Sequence, residues 1–393
     1  MRILVIGQLP KEVGGNYTTG AANVIYELSK QKFDGCDYFT FGTNIPNVKA
    51  ISASTYPFQY IGYEKSLKGI VKMFLAHPIK TLKKSYHYIM IDGENPLRFL
   101  FYEANIREAI KKTMPDIIHV HSITNLSATH FARGGRGTPI ILTCHGIFYR
   151  GDPNDEKNKR KYHGNLKYAS AFTGLTQESL IEYEKFLGVD KSKVTIIPNG
   201  VDCKKFFFSI SEREVLRKSY NVSNETIVFI TVASIQPRKG QFDFIKILER
   251  TNCNYQYWLI GNGPETEVIK KYIEEHGMQS KVILLGYKSA DELYKYYSAA
   301  DIYAHVSKKE GQALSELEAN ATGLRTIVNK SIIGTIANDV NKPCYHIINM
   351  EKPDMISLNE WIESGKDDIR SSKATFDWRV IANKYNKLYN SFS

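Results

Sequence analysis

The sequence predicts an α/β chain built from two Rossmann-like domains with parallel sheets. Three observations carry that prediction. Short apolar runs recur with helical stretches between them, the order from which βαβ units build parallel sheets. The runs fall into two sets of similar size, one in each half of the chain. Between the sets stands Ile197-Pro198-Asn199-Gly200-Val201-Asp202, whose Pro-Asn-Gly is strong turn punctuation and marks a domain boundary. Length agrees, since 393 residues is long for a single core.

In the first half the runs are Arg2–Gly7, Ile117–His121, Pro139–Cys144, Ala171–Leu175 and Lys193–Ile197. In the second half they are Thr226–Ala233, Tyr255–Ile260, Lys281–Leu285, Asp301–Val306 and Arg325–Val328. The opening run, Met1 to Gly7, is too short and too strand-like for a signal peptide and reads as a first strand, so a cytoplasmic protein is expected. After Phe376-Asp377-Trp378 come Val380, Ile381, Ala382, Tyr385, Leu388 and Tyr389 at helical spacing. No strand follows that helix, so it must dock on a surface already built. The domains are therefore placed at 1–197, joined by a returning C-terminal helix at about 378–393, and at 198–377.

Composition narrows the function classes. A hydrophobic share of 42% with 24% charged residues describes an ordinary globular protein. No apolar run approaches the length of a transmembrane helix. Five cysteines, Cys36, Cys144, Cys203, Cys253 and Cys344, are scattered without metal-type spacing and fit a reducing compartment. A net charge of +11 favours anionic partners. Aromatic residues are plentiful but form no nucleic-acid motif, so phosphorylated substrates or an anionic membrane rank above nucleic acid.

The most informative segment is Glu310-Gly311-Gln312-Ala313-Leu314-Ser315-Glu316-Leu317-Glu318-Ala319. Alone, two glutamates at this spacing read as a solvated helix face. Here Ala300 to Ser307 reads as a buried strand feeding straight into the turn, and Leu314, Leu317 and Ala321 then fall at helical spacing. Strand, loop and helix in that order place the loop at the carboxyl edge of a parallel sheet, where α/β proteins bind ligands. A helix N-terminus there favours a phosphate, and flanking carboxylates suit the hydroxyls of a sugar and a ribose.

Other strand-end loops point the same way. Gly14 and Gly15, after the first strand, allow close backbone approach to a ligand. They do not complete the G-x-G-x-x-G dinucleotide fingerprint, which disfavours an oxidoreductase. Ala233-Ser234-Ile235-Gln236-Pro237-Arg238-Lys239-Gly240 sets two adjacent cations at a strand end, suited to a diphosphate. Ile260-Gly261-Asn262-Gly263-Pro264 follows another strand, and His145 closes a third in Thr143-Cys144-His145-Gly146. No D-x-D pair and no His/Cys cluster occurs, so no dedicated metal site is expected.

Together these motifs resemble the retaining glycosyltransferases of family 4 (glycosyl transferases group 1), over nearly the whole chain. The specific parts are Pro237-Arg238-Lys239-Gly240, Ile260 to Pro264, Leu285-Gly286-Tyr287, Ala299 to Tyr303 and the Glu310-to-Glu318 segment. Pro198 to Asp202 is similar to the family's interdomain connection, and Phe376-Asp377-Trp378 to the start of its final helix. The resemblance implies the GT-B fold, two Rossmann-like domains facing across a cleft. It also implies a retaining, metal-independent transfer from a nucleotide-diphosphate sugar, UDP before GDP, with no further cofactor.

Carried over by residue, the resemblance makes Glu310, His145 and Lys239 catalytic. Glu310 would meet the donor sugar's hydroxyls, Lys239 would neutralise the departing diphosphate, and His145 would lie near the reacting carbon. Backbone around Gly311, Gln312, Ala313 and Leu314 would face sugar or diphosphate. Glu318 would accept from the ribose, and Tyr287 would border the base. Gly14, Gly15, Ser234, Arg238, Gly261 and Gly263 complete the implied donor site. One departure stands out: Ala233-Ser234 occupies the place where the family commonly has Gly-Arg, which leaves Arg238 as the substitute cation.

For the acceptor, residues from about 64 to 84 interleave lysines with Leu67, Ile70, Val71, Phe74 and Leu75, the pattern of a basic amphipathic helix. The expectation is an anionic membrane surface on the inner face of the cell membrane; the alternative is a surface helix packed on its own domain. The expected acceptor is a lipid-linked precursor of a cell-surface polysaccharide, capsule or lipopolysaccharide. The alternatives are a protein or small soluble acceptor, or a catalytically silent nucleotide-sugar-binding protein of the same fold.

Overall fold

The computed structural model describes residues 1–10, 20–43, 59–61, 67–93, 95–145, 162–336, 338, 340–365 and 376–392. Gly14, Gly15, Gly146 and residues 64–66 of the basic stretch lie outside these. The chain divides into two compact units, Met1–Asn199 with Trp378–Ser393, and Gly200–Asp377.

The first unit holds a seven-stranded parallel sheet in the order β3-β2-β1-β4-β5-β6-β7. Its strands are β1 (Arg2–Gly7), β2 (Asp37–Gly42), β3 (Gln59–Ile61), β4 (Ile117–Val120), β5 (Ile140–Thr143), β6 (Ala171–Gly174) and β7 (Val194–Ile196). Strands covered by helices on both faces read as continuous apolar runs, and Ile3, Leu4, Val5 and Ile6 of β1 are fully buried. The early helices are α1 (Gly20–Ser29), α2 (Leu67–Ala76), α3 (Pro78–His87), α4 (Pro96–Thr113) and α5 (Leu126–Arg133). The C-terminal helix Trp378–Asn390 joins this unit through buried Trp378, Ile381, Tyr385 and Tyr389. Asn386 donates to the Asp34 carbonyl at 3.3 Å, and the Tyr389 ring packs on Phe33.

The second unit holds a six-stranded parallel sheet in the order β10-β9-β8-β11-β12-β13. The strands are β8 (Ile227–Val232), β9 (Tyr255–Ile260), β10 (Val282–Gly286), β11 (Ile302–His305), β12 (Arg325–Asn329) and β13 (Tyr345–Ile348). Asp301, one residue before β11, ties the amino end of this sheet. It takes hydrogen bonds from Arg213 at 2.6 Å, Arg217 at 3.0 Å and the Val228 amide at 2.8 Å. The chain enters and leaves the unit side by side, since Val201 pairs in parallel with Asp377.

Three strands escape the reading of apolar runs. β2 and β13 carry aromatic and polar residues, Asp37-Tyr38-Phe39-Thr40 and Tyr345-His346, because they lie toward or at a sheet edge where one flank is less covered. β3 has only three residues and forms the edge itself. In both sheets the strand order reverses at the centre, between β1 and β4 and between β8 and β11. In open α/β sheets, ligands bind at the carboxyl ends of the strands where the order reverses.

Candidate functional site

In the second unit the loops that follow β8 and β11 meet at the switch point. β8 ends in a single 3₁₀ turn, Pro237–Lys239, and Gly240 follows with φ of +73°. The amide of Lys308 donates to the Arg238 carbonyl at 2.8 Å, and the Arg238 guanidinium donates to the Lys309 carbonyl at 2.7 Å. That stitching brings Lys239 onto Glu310, with which it forms a direct, charge-assisted hydrogen bond. Arg238 stands 3.6 Å from the second carboxylate oxygen of Glu310. The Glu310 side chain is 4% exposed and that of Lys239 15%.

Burial alone would raise the Glu310 pKa, but the Lys239 charge, the nearby His305 and hydrogen bonds from Lys239 and Ser307 outweigh it and bring it down to about 2. Glu310 is therefore a carboxylate at every physiological pH. Below it, at the end of β11, His305 is 3% exposed and neither ring nitrogen has a hydrogen-bond partner. Burial is the main cause that lowers His305 to about 4, so its ring is neutral. Sequence reading passed over His305, whose only signal is a polar residue on a strand otherwise built to be buried.

The helix Leu314–Ala321 starts four residues after Glu310. Its cap position is Ala313, in extended conformation and with no side-chain cap, so the first-turn N–H groups form a partial positive charge at the loop. Gln312 is buried, while Gly311, Ala313 and Leu314 are half-buried. Glu318 lies on the same helix and accepts a hydrogen bond from the buried Tyr297 hydroxyl at 2.9 Å, which orients its carboxylate. Tyr303 of β11 bonds Ser315 at 2.8 Å and ties strand to helix. Among the described residues no group of three or more His, Cys, Asp and Glu side chains is arranged to hold a metal ion.

Gly261 and Gly263 serve the site through backbone packing. A Cβ on Gly261 would lie 2.0 Å from the Ala233 carbonyl oxygen, and one on Gly263 would lie 2.1 Å from that of Ile235. Gly261 also has φ of +132°. Their contact lets Ile235 donate to the Asn262 carbonyl at 3.2 Å and Ala233 to the Ile260 carbonyl at 3.0 Å. Ser234 lies in this stitched loop and accepts from Gln236 at 2.7 Å. Tyr287, just past β10, is 65% exposed.

In the first unit His145 sits two residues past β5, where its ring stacks on His121 and the two share a 2.9 Å hydrogen bond. Beneath them His119 bonds Thr143 at 2.7 Å and Tyr389 of the C-terminal helix at 2.7 Å. Burial lowers His145 to about 4 and is also the first cause of the low values of His121 and His119, so all three rings are neutral. The sequence singled out only His145; the His119-x-His121 alternation at the end of β4 was the available signal for the other two.

A family model described as Glycosyltransferase Family 4 matches residues 77–205, and one described as Glycosyl transferases group 1 matches residues 212–343. The chain is 27% identical to the UDP-Gal:alpha-D-GlcNAc-diphosphoundecaprenol alpha-1,3-galactosyltransferase of Escherichia coli, over 57% of this chain and 60% of the relative. It is 24% identical to the alpha-monoglucosyldiacylglycerol synthase of Acholeplasma laidlawii, over 58% of this chain and 62% of that protein. The match thus spans about 60% of the length of these curated relatives. Among solved structures, Anabaena HepE in complex with UDP and glucose aligns over the whole of both chains with a TM-score of 0.74 at 18% identity.

Proposed function

The chain belongs to glycosyltransferase family 4, with the GT-B fold of two Rossmann-like domains, and on that premise we propose that it is a retaining, metal-independent glycosyltransferase. It moves a hexose or N-acetylhexosamine from a nucleotide-diphosphate sugar, UDP before GDP, to a hydroxyl of a glycan acceptor. The observation that carries this reading is the Lys239–Glu310 pair at the switch point, beside an uncapped helix N-terminus. A cation and a row of N–H groups suit a diphosphate, and an obligate carboxylate suits sugar hydroxyls and a cationic transition state.

In the reaction the bond from the anomeric carbon to the β-phosphate oxygen breaks. The acceptor oxygen bonds that carbon on the same face, and its proton passes to the departing phosphate. Lys239, with the N–H groups of Gln312, Ala313 and Leu314, takes up the charge that develops on the diphosphate. Glu310 binds the sugar's hydroxyls and its charge favours the oxocarbenium-like state. Glu318, already oriented by Tyr297, accepts from the ribose, and Arg238 backs Lys239. Ser234, Gly261 and Gly263 shape the phosphate-facing backbone, and Tyr287 borders the base. His145, held neutral, serves as a hydrogen-bond partner of the sugar rather than as an acid.

The acceptor we propose is a lipid-linked precursor of a cell-surface polysaccharide or lipopolysaccharide, met on the inner face of the cell membrane. Support comes from the two relatives, one named for a diphosphoundecaprenol-linked acceptor and one for a glucosyldiacylglycerol that it makes. No helix among the described residues is long and apolar enough to cross a membrane. A panel of nucleotides and nucleotide sugars, scored by thermal shift and by release of the nucleotide, tests the reading. Stabilisation by UDP and by one UDP-sugar is expected. A response to NADH with none to UDP or GDP overturns it.

A further inference from the structure

In the α2–α3 hairpin, α3 turns its polar side inward. On α3, Thr81 is 2% exposed and its hydroxyl donates to the Met73 and His77 carbonyls at 3.1 and 2.9 Å. Lys84 bonds the fully buried Glu103, which also takes 2.7 Å and 3.1 Å hydrogen bonds from Arg107 and Tyr88. His87 shares a 3.1 Å hydrogen bond with buried Asn165, which donates to buried Asp92 at 2.6 Å. α2 packs inward through Gly69, Ile70 and Met73; a Cβ on Gly69 would stand 2.9 Å from that of Ala104 on α4.

The outward side carries what a soluble helix normally hides. On α2, Leu67 is 62%, Val71 51% and Leu75 80% exposed, one stripe at helical spacing. On α3, Ile79 is 69%, Leu82 60% and Tyr86 65% exposed, a second such stripe, and Ile89 and Met90 extend it. Exposed Lys68, Lys72, Lys80 and Lys83 stand among them, and no acidic residue occurs between Lys65 and Ile91.

We propose that this inverted hairpin is a docking surface for an anionic lipid bilayer, with its apolar stripes inserted at the interface and its lysines on the headgroups. An exposed apolar patch of this extent marks an interaction site. Lysine stems lie along apolar surface while their charges reach phosphates, which suits the acyl–headgroup boundary. A second copy of this chain is disfavoured, because pairing the same face would set lysine against lysine. The polar anchor to Glu103, Asp92 and Asn165 explains how the hairpin keeps its apolar side out: turning it inward would strand those buried groups. The surface is the one on which the lipid-linked acceptor of the preceding reading would be met, and its test does not depend on that reading.

The test is co-sedimentation of the full chain with phosphatidylcholine vesicles and with vesicles of phosphatidylcholine and phosphatidylglycerol in equal parts. Binding is expected on the anionic vesicles alone. Lys68→Gln with Lys72→Gln, Lys80→Gln and Lys83→Gln should weaken it by about a hundredfold or more, at roughly fivefold per lysine. Leu75→Gln with Leu82→Gln should weaken it at least about tenfold. Both variants alter exposed side chains, so melting temperature and UDP binding are expected unchanged, which separates loss of docking from loss of fold or of the donor site. Equal binding to neutral and anionic vesicles overturns the proposal, as does undiminished binding by the leucine variant. A concentration-dependent dimer of the wild type that the leucine variant dissolves overturns it in favour of self-association.

Discussion

The Lys239 ammonium and the Glu310 carboxylate, 71 residues apart in sequence, are hydrogen-bonded at the carboxyl ends of adjacent strands β8 and β11. The pair is internally neutral, and on the proposed function each member has a separate partner to gain: the diphosphate for Lys239, sugar hydroxyls for Glu310. Glu310→Gln keeps the shape and removes the charge. Turnover is expected to fall about 10²–10³-fold in a variant that stays folded at the assay temperature, though with a lower melting temperature because Lys239 loses its counter-charge. A folded, fully active variant would refute the assignment.

Lys239→Met should behave differently, because it strands a buried carboxylate. A loss of about 3 kcal/mol at neutral pH is expected. In the wild type the Glu310 pKa is depressed to about 2, so its contribution to stability is present above the ordinary carboxyl range and fades as pH falls toward 2. Without Lys239 that depression goes, and the variant should regain stability relative to the wild type on acidification. Urea titrations at pH 4 and pH 8 check the sign.

Glu316, between the two site glutamates, has the opposite bias. It is 1% exposed and accepts from Tyr345 at 3.2 Å and from Asn320, and burial raises it to about 7. A raised carboxyl pKa gives stability that is full below the unfolded value and is lost as pH rises through 7. Glu316→Gln should flatten that stretch and leave the variant more stable than the wild type at pH 8, by up to about 3 kcal/mol. Equal pH profiles would count against this.

Asp301 holds the amino end of the second sheet by gathering Arg213, Arg217 and the Val228 amide. Asp301→Asn leaves two guanidiniums without their counter-charge. Stability is expected to drop by about 2–3 kcal/mol in urea unfolding, with UDP affinity of the folded fraction preserved.

Gly263→Ala drives a methyl group into the Ile235 carbonyl, which is backbone and cannot rotate away. The cation loop must shift to admit it. A cost of about 1–3 kcal/mol and a raised KM for the donor are expected, and calorimetry with steady-state kinetics separates the two.

How much of this was legible without coordinates depends on how local the signal is. The ten apolar runs, the Pro198-Asn199-Gly200 turn and the Glu310-to-Glu318 segment are written in contiguous residues, and β1, β4 to β12 fall on those runs. β2 and β13 were not, because toward a sheet edge an aromatic-polar mixture suffices. His305 and His121 also escaped notice. A histidine on a strand looks alike whether it is spare or lies under an ion pair, and only packing tells the two apart.

The sequence by itself thus determined the class of fold, two sets of βαβ units, and the loops that can carry phosphate chemistry, since periodicity and turn residues act over a few positions. Tertiary structure alone decided which side chains meet. Lys239 reaches Glu310 because β8 and β11 are neighbours across a strand-order reversal, a relation set by non-local pairing. It also decided which way α3 faces. The sequence shows lysines among leucines, but the buried Glu103, Asp92 and Asn165 turn the polar side in and leave the apolar side out. Satisfying the buried polar groups outweighs burying these leucines.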